Sequence, residues 1–351
     1  MAMKTAPALT PERQAFYDGL APDNMAPLWE RFSSLIAPEP RSIVRPCAWS
    51  YAAARPKIMR AGELITAKEA ERRVLILENP GFKGQSRITN TLYAGWQLIL
   101  PGEVAPNHRH SQSALRFVVE GEGAYTAVDG ERTLMREGDF VITPAWTWHD
   151  HGNDSQKPMV WLDGLDIPIV GFFEASFAEG HADDRQALTR PEGDSLARYG
   201  SGLMPEGYKG GKHGRTSPVL NYPYARTREA LARMSQAGPP DSCHGHRLNY
   251  VNPETGAWAM PTIGPSMRLL PKGFATELYR STDAQVFSAV EGHGTVTIGD
   301  TVLSWQKRDV FVVPGWIKFS IFADAESVLF SFSDRPVQEA LGLWREDRGN
   351  H

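Results

Sequence analysis

Two histidines one residue apart follow a glycine in Gly102…His108-Arg109-His110, and a third histidine lies in a second set, Gly138…Pro144…His149…Asn153. Imidazole nitrogens suit borderline divalent metals such as iron. Residues i and i+2 of a strand project from one face. A tight turn, a strand carrying His-x-His and a returning strand carrying one more His can therefore hold an ion inside a small barrel. Asp150 neighbours His149, but strand alternation turns it to the opposite face. The expected set is three neutral imidazoles, which leave a divalent ion its full charge and open positions for anionic oxygen ligands and dioxygen. An open site suits catalysis, whereas structural sites are usually closed.

Parity places Arg116 on the face of His108 and His110, and His151 on the face of His149. An arginine inside a barrel is costly unless it meets an anion, and its planar fork matches a carboxylate. That anion is either a substrate or a protein acid such as Glu103. His151 is expected to act as an acid or base near neutral pH, to orient a substrate hydroxyl, or to serve only as a supporting structural histidine. Asp163, on the next strand, is expected to orient His151 by a hydrogen bond. Gln97 is a polar contact candidate, and Trp96, Tyr93, Trp146 and Trp148 are candidates for an aromatic wall or for plain core. Arg72 and Arg73 precede a strand and reach either a substrate or a neighbouring subunit.

The elements that must position these groups are short. Val74–Leu77, Leu92–Leu100, Arg116–Val119, Ala124–Val128, Phe140–Thr143 and Met159–Leu162 are apolar runs punctuated by Gly, Pro, Asn and Asp, the spacing of an antiparallel sandwich or barrel. Before them, Thr10-Pro11-Glu12 offers an N-cap, a proline at the first helical position and an early acid, and Pro22 and Pro27 break the helix into pieces. The strand pattern then returns as a repeat. Gly102, Arg109 and Glu120-Gly121 match Gly273, Arg280 and Glu291-Gly292 at an offset of 171, and Asp139, Pro144 and Trp146 match Asp309, Pro314 and Trp316 at 170. The histidine positions fall on Tyr279, Ser281 and Phe319 in the second half, so only the first barrel is expected to hold metal. The expected fold is all-β: two antiparallel jelly-roll barrels with a helical N-terminal segment and a C-terminal helix, Val337–Trp344. The divisions drawn are 1–73 helical segment and entry arm, 74–170 metal-binding barrel, 171–250 connection with a helix at Arg226–Met234, 251–335 second barrel and 336–351 helix.

Other signals are weaker. Cys243-His244-Gly245-His246 lacks a preceding glycine and a third ligand, and reads as a surface or pocket-edge loop. Tyr208-Lys209-Gly210-Gly211-Lys212-His213-Gly214 lacks phosphate-loop spacing because residue 206 is Glu, and reads as a mobile loop. Neither a dinucleotide fingerprint nor a Gly-x-Ser-x-Gly elbow occurs. The formal net charge of −4, with dispersed Lys and Arg, gives no footprint for nucleic acid. No uninterrupted apolar run of membrane-spanning length occurs. Two cysteines are too few for a disulfide scaffold, and a reduced cytoplasmic setting is expected.

The two histidine sets fit the paired signature of the cupin barrel, and the repeat makes a bicupin. Many cupins add a glutamate four or five residues after His-x-His; here Ala114 and Leu115 stand there. The stretch Asn107–Gly121, with Trp146-Thr147-Trp148-His149-Asp150-His151-Gly152-Asn153 and Ala70-Glu71-Arg72-Arg73, resembles gentisate 1,2-dioxygenase and its salicylate and 1-hydroxy-2-naphthoate relatives over nearly the whole chain. The resemblance implies an Fe(II) homotetramer that inserts O2 into gentisate, an aromatic carboxylate, to give maleylpyruvate. It implies His108, His110 and His149 as iron ligands, and Arg116, His151, Gln97, Asp163 and Arg72 as pocket residues. Tyr93 stands where salicylate-active relatives carry tryptophan, which favours gentisate. The rivals are a related salicylate or hydroxynaphthoate dioxygenase, a metal-dependent cupin isomerase that consumes no O2, and a storage or sensor cupin with degenerate metal positions in both halves.

Overall fold

The computed structural model describes residues 9–210 and 214–349. The chain divides at residue 41 into two compact units. The smaller one is helical. Thr10 Oγ accepts the Arg13 N–H at 3.2 Å to cap Pro11–Leu20, and Pro27 opens a second helix, Leu28–Leu35. Neither helix buries a residue. Among the described residues no helix is long and apolar enough to cross a membrane.

The larger unit holds two barrels of the expected bicupin type. In the first, a six-stranded sheet runs in the order Asn221–Tyr222, Phe140–Thr143, Ala114–Glu120, Met159–Leu165, Tyr93–Ile99, Val74–Ile76. It faces a five-stranded sheet ordered Ala178–Gly180, Val104–His110, His149–Asn153, Glu122–Val128, Glu131–Arg136. The second barrel repeats the larger sheet as Cys47–Trp49, Val310–Val313, Gln285–Glu291, Ser327–Ser333, Gly264–Leu270, His246–Asn249.

Alternation along each strand explains how the barrels meet. Leu115, Phe117 and Val119 point out of the first barrel into one large core shared with Val286, Val328, Phe330 and Phe332 of the second. The rings of Phe117 and Phe330 stack with centroids 4.2 Å apart. Each such side chain, fully buried, is worth roughly 1.5–3 kcal/mol. The opposite parity, including Val118, Val141 and Trp161, forms a smaller core inside the first barrel and floors its site. The turn glycines that the repeat brought out, Gly102 and Gly273, both have φ near +80°, at 80° and 76°, where only glycine is unstrained.

The repeat extends further than the sequence matches. Cys47–Trp49 lies in the arm before residue 74, yet it pairs with Val310–Val313 of the second barrel. Asn221–Tyr222 likewise leaves the connection to pair with Phe140–Val141 of the first. After each of these edge strands comes a 14-residue helix, Tyr51–Leu64 or Tyr224–Ala237. The first N–H of each donates to an equivalent aspartate, Asp309 Oδ1 at 2.8 Å and Asp139 Oδ1 at 2.9 Å. Divisions at 73 and 250 therefore cut through a unit in which each half lends an edge strand to the other half's barrel. One element is shorter than expected. The final helix is Arg335–Ala340 rather than Val337–Trp344, because Gly342 adopts φ 69° and turns the chain into a short strand, Glu346–Asp347.

Candidate functional site

His108 and His149 face one another across paired strands, and His110 lies two residues along from His108. Their ring centroids are 4.5 to 5.2 Å apart, and one nitrogen of each lies within 4.8 Å of the others. The outer nitrogens are fixed by backbone. His110 Nδ1–H donates to Gln112 O at 2.8 Å, and His149 Nδ1–H donates to Thr147 O at 2.9 Å. These bonds set the tautomer and turn each Nε2 lone pair inward. His149 Nε2 is buried without a partner, and an orphaned buried acceptor is costly. A metal ion would supply the missing partner. Burial and the nearby Arg72 and Arg116 charges hold all three rings neutral, His110 pushed down to about 4 and His149 well below its usual range. Neutral imidazoles are the ligand form, so the residues fit a metal ion. Among the described residues this is the one histidine, cysteine and carboxylate group with that geometry.

Arg116 is fully desolvated beside this cluster, 3% exposed. Nη1 donates to Thr143 Oγ1, Nη2 donates to His151 Nε2 at 2.9 Å, and Nε stands 3.7 Å from Asp163 Oδ1. Glu103 is not its partner; that carboxylate accepts from Arg73 Nη1 at 2.8 Å, tying Arg73 into the scaffold. Nor does Asp163 orient His151, as the sequence suggested. Asp163 accepts from Trp161 Nε1 at 3.0 Å and lies beside Arg116. The residue that holds His151 is Thr126, whose hydroxyl lies 3.0 Å from Nδ1 and itself points at Met135 Sδ. His151 thus carries its proton on Nδ1 and offers Nε2 as an acceptor. Burial and Arg116 keep the ring neutral, well below its ordinary range. Thr126 pairs with His151 across the sheet, but strand register is not legible in the sequence, and a threonine in a run of strand formers carries no signal.

Arg72 is brought into the site. Its Nη2 donates to Pro106 O at 2.9 Å and approaches His108 Nε2 at 3.2 Å. Glu71, at φ 52°, turns the chain sharply between a capped helical turn, Ala67–Ala70, and this arginine. A left-handed non-glycine is strained and occurs disproportionately at functional sites. Tyr93, Gly95 and Gln97 share the inward face, with Gly95 opposite Asp163. Burial and Asp163 raise the Tyr93 hydroxyl above its usual range.

The tryptophans are not a pocket wall. Trp96 has the opposite parity to Tyr93 and Gln97; it is 2% exposed in the core between the barrels and meets Tyr51 edge-on at 5.4 Å. Trp146 and Trp148 sandwich the Arg109 guanidinium at 4.5 and 4.6 Å. The second barrel repeats half of that arrangement, with Arg280 over Trp316 at 4.4 Å and Lys318 at the place of Trp148, and it has no histidine cluster among the described residues. The pair is a structural latch of both barrels. Asp150 faces away, as expected, and accepts from Gln186 N at 3.0 Å. Cys243–His246 is not a metal site but leads into the second barrel, where the His244 ring packs on Tyr279. Of the glycine-rich loop, Gly211, Lys212 and His213 lie outside the described residues.

Comparison with known proteins places these features in a lineage. The Cupin domain family matches residues 95–165, the strands that carry all three histidines. The chain is 58% identical to Gentisate 1,2 dioxygenase 1 of Aquipseudomonas alcaligenes over 99% of its own length and 100% of the relative's. It is 34% identical to a 1-hydroxy-2-naphthoate 1,2-dioxygenase of Nocardioides over 88% of its length and 80% of the relative's. Among solved structures, a tryptophan-to-tyrosine variant of salicylate 1,2-dioxygenase from Pseudoaminobacter salicylatoxidans, in complex with gentisate, superposes with a TM-score of 0.92. That structure is 35% identical and covers 100% of this chain and 99% of its own.

Proposed function

The chain belongs to the gentisate 1,2-dioxygenase family of bicupin ring-cleaving dioxygenases, and from that premise we propose that it is an Fe(II) enzyme converting gentisate (2,5-dihydroxybenzoate) and O2 to maleylpyruvate. The observation that carries the reading is the bare, buried His149 Nε2 at the centre of three imidazoles, flanked by two arginines that lack a full complement of counter-charge.

His108, His110 and His149 would hold the iron, which when bound supplies a Lewis-acid centre and a path for electrons between the aromatic ring and dioxygen. The chain's own groups do the rest. Arg116 receives the substrate carboxylate: it hydrogen-bonds only a hydroxyl and a neutral imidazole, and its Nε, 3.7 Å from Asp163, makes no hydrogen bond, so an incoming carboxylate gains charge-assisted bonds that its present partners do not supply. Drawing Arg116 toward the carboxylate frees His151 Nε2, which then accepts a phenolic proton while Thr126 holds Nδ1. Arg72 turns from His108 to the anionic edge of the substrate, leaving the His108 lone pair for the ion. Tyr93 and Gln97 flank the ring from the inward sheet face. The apolar floor of Val118, Met135 and Trp161 keeps water from beneath the site, which strengthens each of these charged contacts.

The same reading includes assembly as a homotetramer working in the cytoplasm. Phe172, Phe173 and Phe177 are 82%, 63% and 67% exposed along one short segment, an apolar surface suited to a subunit contact. The test of the activity is oxygen uptake by the iron-loaded protein. Consumption of one O2 per gentisate, with both atoms in the product by mass, is expected. Turnover of salicylate or 1-hydroxy-2-naphthoate in preference would move the assignment within the family, and no oxygen consumption would overturn it.

A further inference from the structure

The second barrel carries Tyr279, Ser281 and Phe319 where the first carries its three histidines. At the position equivalent to Gln97, offset by 171, it carries Arg268. Arg268 sits on the inward face of Gly264–Leu270, 0% exposed, with its guanidinium 4.8 Å over the ring of Phe287. Nε, Nη1 and Nη2 all lack hydrogen-bond partners. Directly opposite on the neighbouring strand is a second arginine, Arg247, whose Nε reaches only Ser266 Oγ at 3.2 Å. Like charges directly across a sheet repel, and a fully desolvated cation without an anion is costly.

The carboxylates nearby are engaged elsewhere. Asp283 accepts from Trp344 Nε1 at 2.9 Å, Glu346 accepts from Tyr279 OH at 3.0 Å, and Asp241 pairs with Arg348 at 2.5 Å. His244, whose Nδ1 is also buried without a partner, packs its ring on Tyr279 at 4.5 Å. His244 and Arg247 keep partial exposure while Arg268 has none, so the charge at depth is approached past them. Burial and the Arg247 charge push the Arg268 guanidinium down to about 9.

We propose that the second barrel binds a small organic carboxylate, received by Arg268 and Arg247, with Tyr279 and His244 at its entrance. Two adjacent guanidinium groups can receive the two oxygens of a carboxylate, and Phe287 and Phe319 in the same interior would be the apolar neighbours of the body that bears it. Where the first barrel gathers three imidazoles, the second sets two guanidinium groups opposite one another. The inference stands apart from the reading of the first barrel.

Crystals of the full chain soaked in 4-bromobenzoate, measured at the bromine edge, test it, with a parallel soak in sodium bromide. The expected result is a bromine peak inside the second barrel, with the carboxylate on Arg268, that is lost in Arg268→Gln while the first barrel is unchanged. Absence of that peak in the wild-type protein, or its survival in Arg268→Gln, would overturn the proposal. A peak for bromide at Arg268 with none for bromobenzoate would show an inorganic-anion site and overturn the carboxylate assignment. Should Arg268→Gln fail to fold, the wild-type soaks together with Arg247→Gln decide the question on the same criteria.

Discussion

Arg116 Nη2 lies 2.9 Å from His151 Nε2, so the guanidinium donates to a ring whose other nitrogen is held by Thr126. A protonated His151 would set two donors against each other, and the pair is stable only with the imidazole neutral. Under the proposed function, His151 would therefore accept a proton from the substrate rather than give one. Thr126→Val keeps shape and volume but removes the Nδ1 partner. A net hydrogen bond is worth roughly 0.5–1.5 kcal/mol, so kcat/KM for gentisate should fall about 3- to 10-fold. The pH profile should change with it, and iron content should not. An unaltered rate and profile would remove Thr126 from the site.

Arg116→Met should be far more severe, because it removes the group proposed to receive the carboxylate. Charge-assisted bonds contribute about 1.5–3 kcal/mol each, which places the expected loss of kcat/KM at roughly 100-fold or more. Iron content, measured in parallel, should stay near that of the wild type. A variant that loses iron and activity together would show Arg116 to be a support of the metal ligands instead.

Arg109 lies between the two histidines of the His-x-His pair in sequence, yet its part is structural. It stacks between Trp146 and Trp148 outside the site and pairs with Glu179. Arg109→Ala should lower stability by about 1–2 kcal/mol, two cation–π contacts' worth, and change kcat/KM by less than about 3-fold at a temperature where the protein stays folded. Thermal melts and steady-state rates on the same preparation check this.

The core between the barrels was readable in part. Alternation in the strands, the turn glycines and the offset repeat laid out two barrels, because those patterns are local. The three histidines were legible for the same reason: their spacing along two strands is enough to bring them together. What sequence could not show was register and exchange. Trp96 looked like a neighbour of Gln97 but faces the other way, into a core completed by residues more than 200 positions away such as Phe330. Asp163 looked like the partner of His151, while the true partner, Thr126, is joined to it only by strand pairing. The exchange of Cys47–Trp49 for Asn221–Tyr222 depends on pairing Cys47 with Val312 and Asn221 with Val141, partners too far apart for any local window along the sequence to contain.

The shared core should make the barrels unfold together. Phe330→Ala removes the ring that stacks on Phe117 and touches Phe140, Tyr250 and Phe332. Such truncations cost about 3–5 kcal/mol. Urea denaturation should show one transition displaced by that amount; two separated transitions would mean the barrels are independent.

Burial raises Asp166 to about 6 from 3.8, even though it accepts from Ser113 N and Thr262 OH. Its folded value lies above the unfolded one, so its most favourable contribution is present below about pH 4 and is lost as pH rises through about 6. Asp166→Asn does not titrate, so its stability relative to the wild type should rise by about 1–3 kcal/mol between pH 4.5 and 7.5. Comparing the two proteins at both pH values cancels the constant cost of the altered hydrogen bonds. A difference independent of pH would mean that Asp166 stays ionised throughout.

The trio of imidazoles is tested most directly by counting iron. After loading with Fe(II) under exclusion of oxygen and removal of free metal, the wild-type chain should retain one iron per chain, and His110→Ala should retain almost none while remaining folded by circular dichroism. Stoichiometric iron in His110→Ala would contradict the account.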